Sequence, residues 1–343
     1  MAIDRYVGVA FRERSDDEIR ARSLEFDETS SFSLGALDEG DAPRGGWAGY
    51  VAGVAWALRQ EGIALAGADL IIDGTVPVGA GLSSSAALEL ALARAFCAAS
   101  GADWEPVRMA RAGQRAENDY VGVSCGIMDQ FASAVSEEGC ALLLDCRSLE
   151  TERVPIPDEA QIVVMDTGVR RSLSDSAYNE RLHQCEQAVE VLRQRDDSIE
   201  ALRDVNEEQL REHEGDMAEV AYRRARHVVT ENERPARLAK AFGNGSLSYA
   251  GELMDASHAS LRYLYEVSSP ELDAITEAAR EHPACHGARL TGAGMGGCAV
   301  ALIERGAFED FADEVGAAYD RQFDYDFSLY ACDPSAGARL VNE

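Results

Sequence analysis

Residues Pro77 to Glu89 read PVGAGLSSSAALE, and this stretch decides how the chain is understood. Small residues give way to three serines, and a helical pattern follows. Gly79 and Gly81 carry no side chain that would hold a ligand away from the backbone. Ser83, Ser84 and Ser85 stand where a helix would begin. The first N–H groups of a helix lack partners within it and sit at the positive end of its dipole, so they favour an anion. Hydroxyls add hydrogen bonds or an oxygen ligand for Mg2+. The run Gly79, Ala80, Gly81, Leu82, Ser83, Ser84, Ser85 is therefore read as a phosphate-binding loop. A plain serine N-cap behind a glycine turn is the simpler alternative. The stretch lacks the Gly-Lys-Ser/Thr of a Walker loop and the GxGxxG spacing of a dinucleotide fingerprint.

Working outward, 343 residues are enough for two domains or one large one, and 46% hydrophobic content allows a proper core. A net charge of −29 repels nucleic acid and anionic membrane, so neither is expected as a partner. Lys240 is the one lysine; arginine supplies every other basic residue. Acid excess with almost no lysine reads as adaptation to high salt. The eight cysteines are scattered without a C-x-x-C pair, which predicts neither a disulfide framework nor a zinc site. His282, Cys285 and His286 in HPACHG are read as a loop after a helix rather than as metal ligands. With no signal peptide or membrane-length apolar run in the sequence, the expectation is a reduced cytoplasm and, by default, a monomer.

The chain opens MAIDRYVGVAFRE, an alternation read as one strand, and 17–34 adds a strand or two. Helices are expected at 47–60, 86–100, 105–120 and 126–135, with strands at 69–77, 140–150 and 160–168. Beyond a domain boundary near 165, helices dominate at 176–194, 221–242, 248–263 and 270–282. The acidic run 206–216 reads as solvated surface, and strands return at 287–294, 297–304 and 327–333. Strands mixed with segregated helices predict an α+β fold in two domains, 1–165 and 166–343.

Two further stretches carry chemistry. In AENDYVGVSCGIMDQ (116–130), Glu117 lies on a helix twelve residues before Asp129, which follows a glycine turn. A metal ligand and a base are what phosphoryl transfer to an alcohol needs. Solvent-facing carboxylates are the alternative. In LTGAGMGGCAV (290–300), Gly292, Gly294, Gly296 and Gly297 either approach a ligand closely or make a tight structural turn.

Together these stretches resemble the GHMP small-molecule kinases, and in detail the galactokinases. PVGAGLSSSAALE resembles the phosphate-loop motif, and CGIMDQF (125–131) the segment carrying the galactokinase base. TGVRRSLSDSAYNERLHQCE (167–186), ENERPARLAKAF (231–242), LMDASHASLRYLYEVSSPELD (253–273) and RLTGAGMGGCAVAL (289–302) match in order, so the resemblance covers nearly the whole chain. It implies two α+β lobes, the first like ribosomal protein S5. It implies ATP phosphates on Gly79–Ser85, Mg2+ on Ser85 and Glu117, and Asp129 as the base that takes the proton of the anomeric hydroxyl. Tyr178 would hydrogen-bond the sugar, a role that the residue pattern alone does not give it.

One departure stands out. Galactokinases carry a Gly-Arg-x-Asn-Leu-Ile-Gly-Glu-His-x-Asp-Tyr motif ahead of a strand resembling MAIDRYV, with the catalytic arginine and most sugar-binding side chains in it. This sequence opens inside that strand, and the expectation is a start codon assigned too late. The implied activity is ATP-dependent phosphorylation of galactose to galactose 1-phosphate. A non-catalytic sugar and ATP sensor, or a kinase of N-acetylgalactosamine or arabinose, are the alternatives.

Overall fold

Two four-stranded sheets, each with its own hydrophobic core, organise the chain. The computed structural model describes residues 1–170 and 174–341; the side chains of 174–178 lie outside that description. Packing divides the chain into two compact units: Met1–Val78 with Ser83–Arg153 and Asp333–Glu343, and Gly79–Leu82 with Val154–Cys332.

In the first unit β1 (Ala2–Ile3) precedes β2 (Val7–Glu13), β3 (Glu18–Ser23), β4 (Glu28–Ser33) and β5 (Ala68–Gly74). The sheet runs β2-β5-β3-β4, with β5 antiparallel to β2 and parallel to β3. Alternation sets the buried face: Ile19, Ala21 and Ser23 point inward along β3 while Arg20 and Arg22 point out. Helices Gly46–Gln60, Ser84–Ala99, Pro106–Arg115 and Met128–Val135 supply the rest of the core, with Leu58, Leu92, Phe96, Met109 and Phe131 fully buried. β6 (Cys140–Leu144) pairs with β7 (Thr151–Pro155).

The second unit is built on β8 (Ala160–Asp166), β9 (Cys285–Leu290), β10 (Cys298–Glu304) and β11 (Ser328–Cys332), in the antiparallel order β11-β8-β10-β9. Val163 and Met165 of β8 are fully buried among Leu272 and Ile275 of the Pro270–Glu281 helix and Phe311, Val315 and Tyr319 of the Phe308–Asp320 helix. The Leu247–Ser260 helix lies almost backbone to backbone on β9. A Cβ at Gly251 would fall 1.7 Å from the His286 carbonyl oxygen. A further cluster joins Ala188 and Leu192 of the Ser174–Arg193 helix to Leu202, Leu210, Ala225 and Val229. The last strand, β12 (Pro334–Ser335), belongs to the first unit and pairs with β1.

The α+β expectation holds, and several element boundaries differ from those predicted. The opening alternation breaks into β1 and β2 because Ala2–Ile3 pairs with β12 while Val7–Glu13 pairs with β5. The division between units falls ahead of residue 165: β8 sits between β10 and β11, which places it wholly in the second unit, and the chain end returns to the first. The helix expected at 221–242 is two, Glu219–Glu231 and Arg234–Gly243, with Pro235 at the start of the second, where its missing N–H is harmless. Leu210, inside the acidic run, is fully buried, so one face of that run belongs to a core.

Two buried histidines give the second unit a pH dependence. His227 stacks on Tyr265 with ring centroids 4.4 Å apart and shares a hydrogen bond with Ser260. His258 accepts the Leu290 N–H on Nδ1. Burial lowers each to about 4 from 6.5. Below pH 6.5 the unfolded chain takes up protons that the folded state refuses, so stability falls as pH drops from about 6.5 to about 4 and levels off below. Urea unfolding across that range is expected to show this decline, with a shallower slope in His227→Asn; equal slopes would contradict the assignment.

Candidate active site

The Ser84–Ala99 helix starts abruptly. Gly79 and Gly81 have φ of +72° and +82°, a left-handed conformation that glycine adopts without strain. Ser83, at the N-cap, also has positive φ and makes no side-chain capping bond. The simpler sequence alternative, an ordinary serine cap, is thus not the geometry observed. The first bond of the turn runs from the Ala87 N–H to the Ser83 carbonyl, which leaves the preceding amides at the helix start without intrahelical partners. Ser83, Ser84 and Ser85 are each half-buried, so their hydroxyls are lodged in structure yet within reach of a ligand.

The first unit buries two carboxyls, Glu89 and Glu117. Glu117 does not lie on a regular helix: Ala116–Val121 forms a π-helical turn after Pro106–Arg115, a feature frequent at functional sites. Its Oε1 accepts the Tyr50 hydroxyl at 3.1 Å and its Oε2 accepts Gln130 Nε2 at 3.0 Å. The same amide nitrogen reaches Glu89 Oε2 at 3.0 Å. Glu89 is fully buried, and Glu117 and Gln130 nearly so. Burial first, then the nearby Glu117 charge, hold Glu89 well above the ordinary carboxyl range. Burial, Glu117 and Glu89 likewise keep the Tyr50 phenol protonated. Asp129, one residue before Gln130 on the Met128–Val135 helix, is half-buried in that helix's first turn.

In the second unit, Arg170 makes a fork onto Asp166 at the end of β8, Nη1 to Oδ1 at 2.7 Å and Nη2 to Oδ2 at 3.0 Å. Asp166 is buried, whereas nearly half of the Arg170 side chain is exposed. Its Cδ lies 3.8 Å from where a Cβ on Gly79 would stand, so a guanidinium flanks the glycine loop. The 292–297 glycines hold this corner. Thr167 Oγ1 donates to the Gly297 carbonyl at 2.7 Å, and the Gly297 N–H donates to Val169. A Cβ at Gly294 would meet the Val267 carbonyl at 2.0 Å. Of the two sequence readings, these contacts favour the structural one: the glycines are needed by the protein's own backbone.

Of the predicted site residues, Glu117 is joined to the helix of Asp129 through Gln130, whose amide also reaches Glu89 on the serine helix. Gly79–Leu82 form a separate feature beside Arg170. Tyr178 falls on the first turns of Ser174–Arg193, where side chains lie outside the described residues. Tyr50, Glu89, Gln130 and Arg170 were not singled out from sequence; the arginine four residues after Asp166 was the one local signal. His282 approaches Asp310 and Glu314 at 3.6 and 3.9 Å. Its Nδ1 accepts the Ala284 N–H, and among the described residues its buried Nε2 makes no hydrogen bond.

Residues 49–137 match the GHMP kinases N terminal domain and 238–321 the GHMP kinases C terminal domain. The galactokinase of Roseiflexus sp. (strain RS-1) is 42% identical over 341 residues, spanning 99% of this chain and 86% of its own. The chain belongs to the galactokinase family. The galactokinase of Chloroflexus aurantiacus is 41% identical over 99% of this chain and 87% of its own. Among solved structures, Lactococcus lactis galactokinase complexed with galactose superposes with a TM-score of 0.92 at 35% identity, covering 98% of this chain and 87% of that one. Methanococcus jannaschii mevalonate kinase, at 19% identity and a TM-score of 0.66 over 97% of this chain and 90% of its own, shares the fold.

Cys125 sits against the carboxyl cluster, where its Sγ lies 3.7 Å from Gln130 Nε2, and this environment keeps it protonated. Burial, then its hydrogen bond to Glu117, push the thiol up to about 12. Iodoacetamide at pH 7.5 followed by peptide mass spectrometry should leave Cys125 unmodified in the native protein. Labelling at the rate of an ordinary free thiol would show that the carboxyl cluster is more open than described.

Proposed function

We propose that this chain transfers the γ-phosphoryl group of ATP to the anomeric hydroxyl of galactose, giving galactose 1-phosphate. The observation that carries the reading is the likeness over 98% of the chain to a galactokinase solved with galactose. The local geometry agrees with it. The turn Gly79–Ser85, with its left-handed glycines and uncapped serines, would hold the ATP phosphates, and Arg170 would add a positive charge beside them.

Ser85 and Glu117 would hold Mg2+. Hydroxyl and carboxylate oxygens are the hard donors this ion prefers, and Glu117 is oriented by two hydrogen bonds. The ion would neutralise charge between the β- and γ-phosphates. Asp129 would accept the proton of the sugar hydroxyl, and its place in a short helix beside buried Gln130 fixes its backbone. Tyr178 would hydrogen-bond the sugar. Most of the rate enhancement would come from positioning and charge stabilisation. The reading further takes the enzyme as a cytoplasmic monomer adapted to high salt.

Coupled-assay turnover with ATP and galactose tests the reaction. Asp129→Asn is expected to lower kcat by at least about a hundredfold while nucleotide affinity stays within about twofold. Near-full turnover in that variant would remove Asp129 from the role of base. Nucleotide binding without galactose turnover, both in this chain and in one extended upstream to include the Gly-Arg-x-Asn-Leu-Ile-Gly-Glu-His-x-Asp-Tyr motif, would overturn the activity itself.

The salt proposal has its own test. With a net charge of −29, mutual repulsion of carboxylates should relax as counter-ions accumulate. The thermal midpoint is expected to climb by several degrees between low and molar KCl. An unchanged midpoint would dismiss salt adaptation.

A further inference from the structure

Glu89 has no place in the roles above, yet it is the most deeply buried carboxyl of the first unit's interior. It is fully buried, and among the described residues no arginine, lysine or histidine pairs with it. Placing a carboxyl there without a cation costs stability, and a leucine would fill the position at no such cost. Its surroundings are built around it. Gly113 leaves the space: a Cβ there would lie 3.2 Å from Glu89 Oε2 and 3.3 Å from Gln130 Cγ. Glu89 follows Ser85 by four residues on one helix, so both point to the same helical face.

The link to the site is the Gln130 amide. Its Nε2 carries two hydrogens, and two carboxyl oxygens, Glu89 Oε2 and Glu117 Oε2, each lie 3.0 Å from it. Turned over, the amide would present its carbonyl oxygen to the Glu117 carboxylate. With one amide hydrogen on Glu89 Oε2 and the other on Glu117 Oε2, Glu89 anchors the far side of the amide and so helps hold its plane against Glu117. The other oxygen, Oε1, is held by Tyr50. Gln130 adjoins Asp129, so the same contact ties Glu117 to the helix that carries Asp129.

We propose that Glu89 is a positioning residue that acts through the Gln130 amide to orient Glu117 for a divalent cation. The proposal rests on the reading of Glu117 as a ligand of that cation. Glu89 would touch neither nucleotide nor ion; it also lies close enough to Glu117 to feel its charge, and the Gln130 amide is the hydrogen-bonded path tested below.

Mn2+ serves as the probe, titrated onto the protein in the presence of ADP and followed by electron paramagnetic resonance, so that no turnover is involved. Glu117→Gln is the control for the underlying reading: unchanged Mn2+ affinity in it would mean that Glu117 is not a ligand, and the reading itself would fall. Where Glu117→Gln does weaken binding, Glu89→Leu and Gln130→Met are each expected to weaken it by about tenfold or more. Glu89→Gln, which keeps an acceptor oxygen, should stay within about threefold of the parent. The double variant Glu89→Leu with Gln130→Met should be no weaker than either single one, because both break the same path. Parent-like Mn2+ affinity in Gln130→Met, or additive losses in the double variant, would overturn the proposal. If Glu89→Leu fails to fold, Glu89→Met takes its place with the same expected loss, and parent-like Mn2+ affinity in it would overturn the proposal.

Discussion

A carboxyl taken out of water must find hydrogen-bond donors or give up its charge, and the first unit is arranged around that constraint. Glu89 and Glu117 lie in one interior between four helical segments, and a single glutamine amide serves both. Each helix contributes something only it can place: the serine helix brings Glu89, Pro106–Arg115 brings the gap at Gly113, the π-turn brings Glu117, and Met128–Val135 brings Gln130. Rotating the serine helix, the π-turn or Met128–Val135 would break a buried hydrogen bond, and rotating Pro106–Arg115 would close the gap. The candidate catalytic side chains inherit their rigidity from this demand, since Ser85 lies one turn from Glu89 and Asp129 one residue from Gln130.

The second unit reaches the same end with backbone rather than side-chain hydrogen bonds. Gly251 and Gly287 let a helix and a strand approach to backbone contact, which fixes β9 and, through β10, the level at which β8 ends. Gly296 and Gly297 then clamp the residues after β8, while Gly294 packs on Val267. Tyr319 adds a hydrogen bond from its hydroxyl to the Thr167 carbonyl at 2.9 Å. The outcome is that Asp166, buried at a strand end, presents Arg170 in a fixed fork rather than as a loose surface cation.

Much of this was legible in the sequence, and the parts that were not share a cause. The phosphate-type turn could be read because glycine, serine and helix start act over a few adjacent residues. The sheets and core helices could be read because periodicity is local too. Glu89 lay inside the quoted stretch and still looked like an ordinary helix residue, since its burial depends on Gly113 and Gln130, far along the chain. Tyr50 gave no sign either, because its partner is 67 positions away. Glu117 was one carboxylate among 61 acidic residues, and only folding distinguishes it. The break of the 221–242 helix, by contrast, was written in Pro235.

The π-turn at Ala116–Val121 has a consequence for how this region can vary. A π-turn amounts to one residue more than the α-helix would need. Losing a single residue there would restore a regular helix, and everything after it would rotate by about 100° relative to what came before. The core face of Pro106–Arg115 would survive intact, while Glu117 or its neighbours would turn away from Gln130. A change of length in this segment is thus a graver alteration than most single substitutions outside Glu117. A shift of one residue separates a helix that only completes the core from one that also delivers a carboxylate.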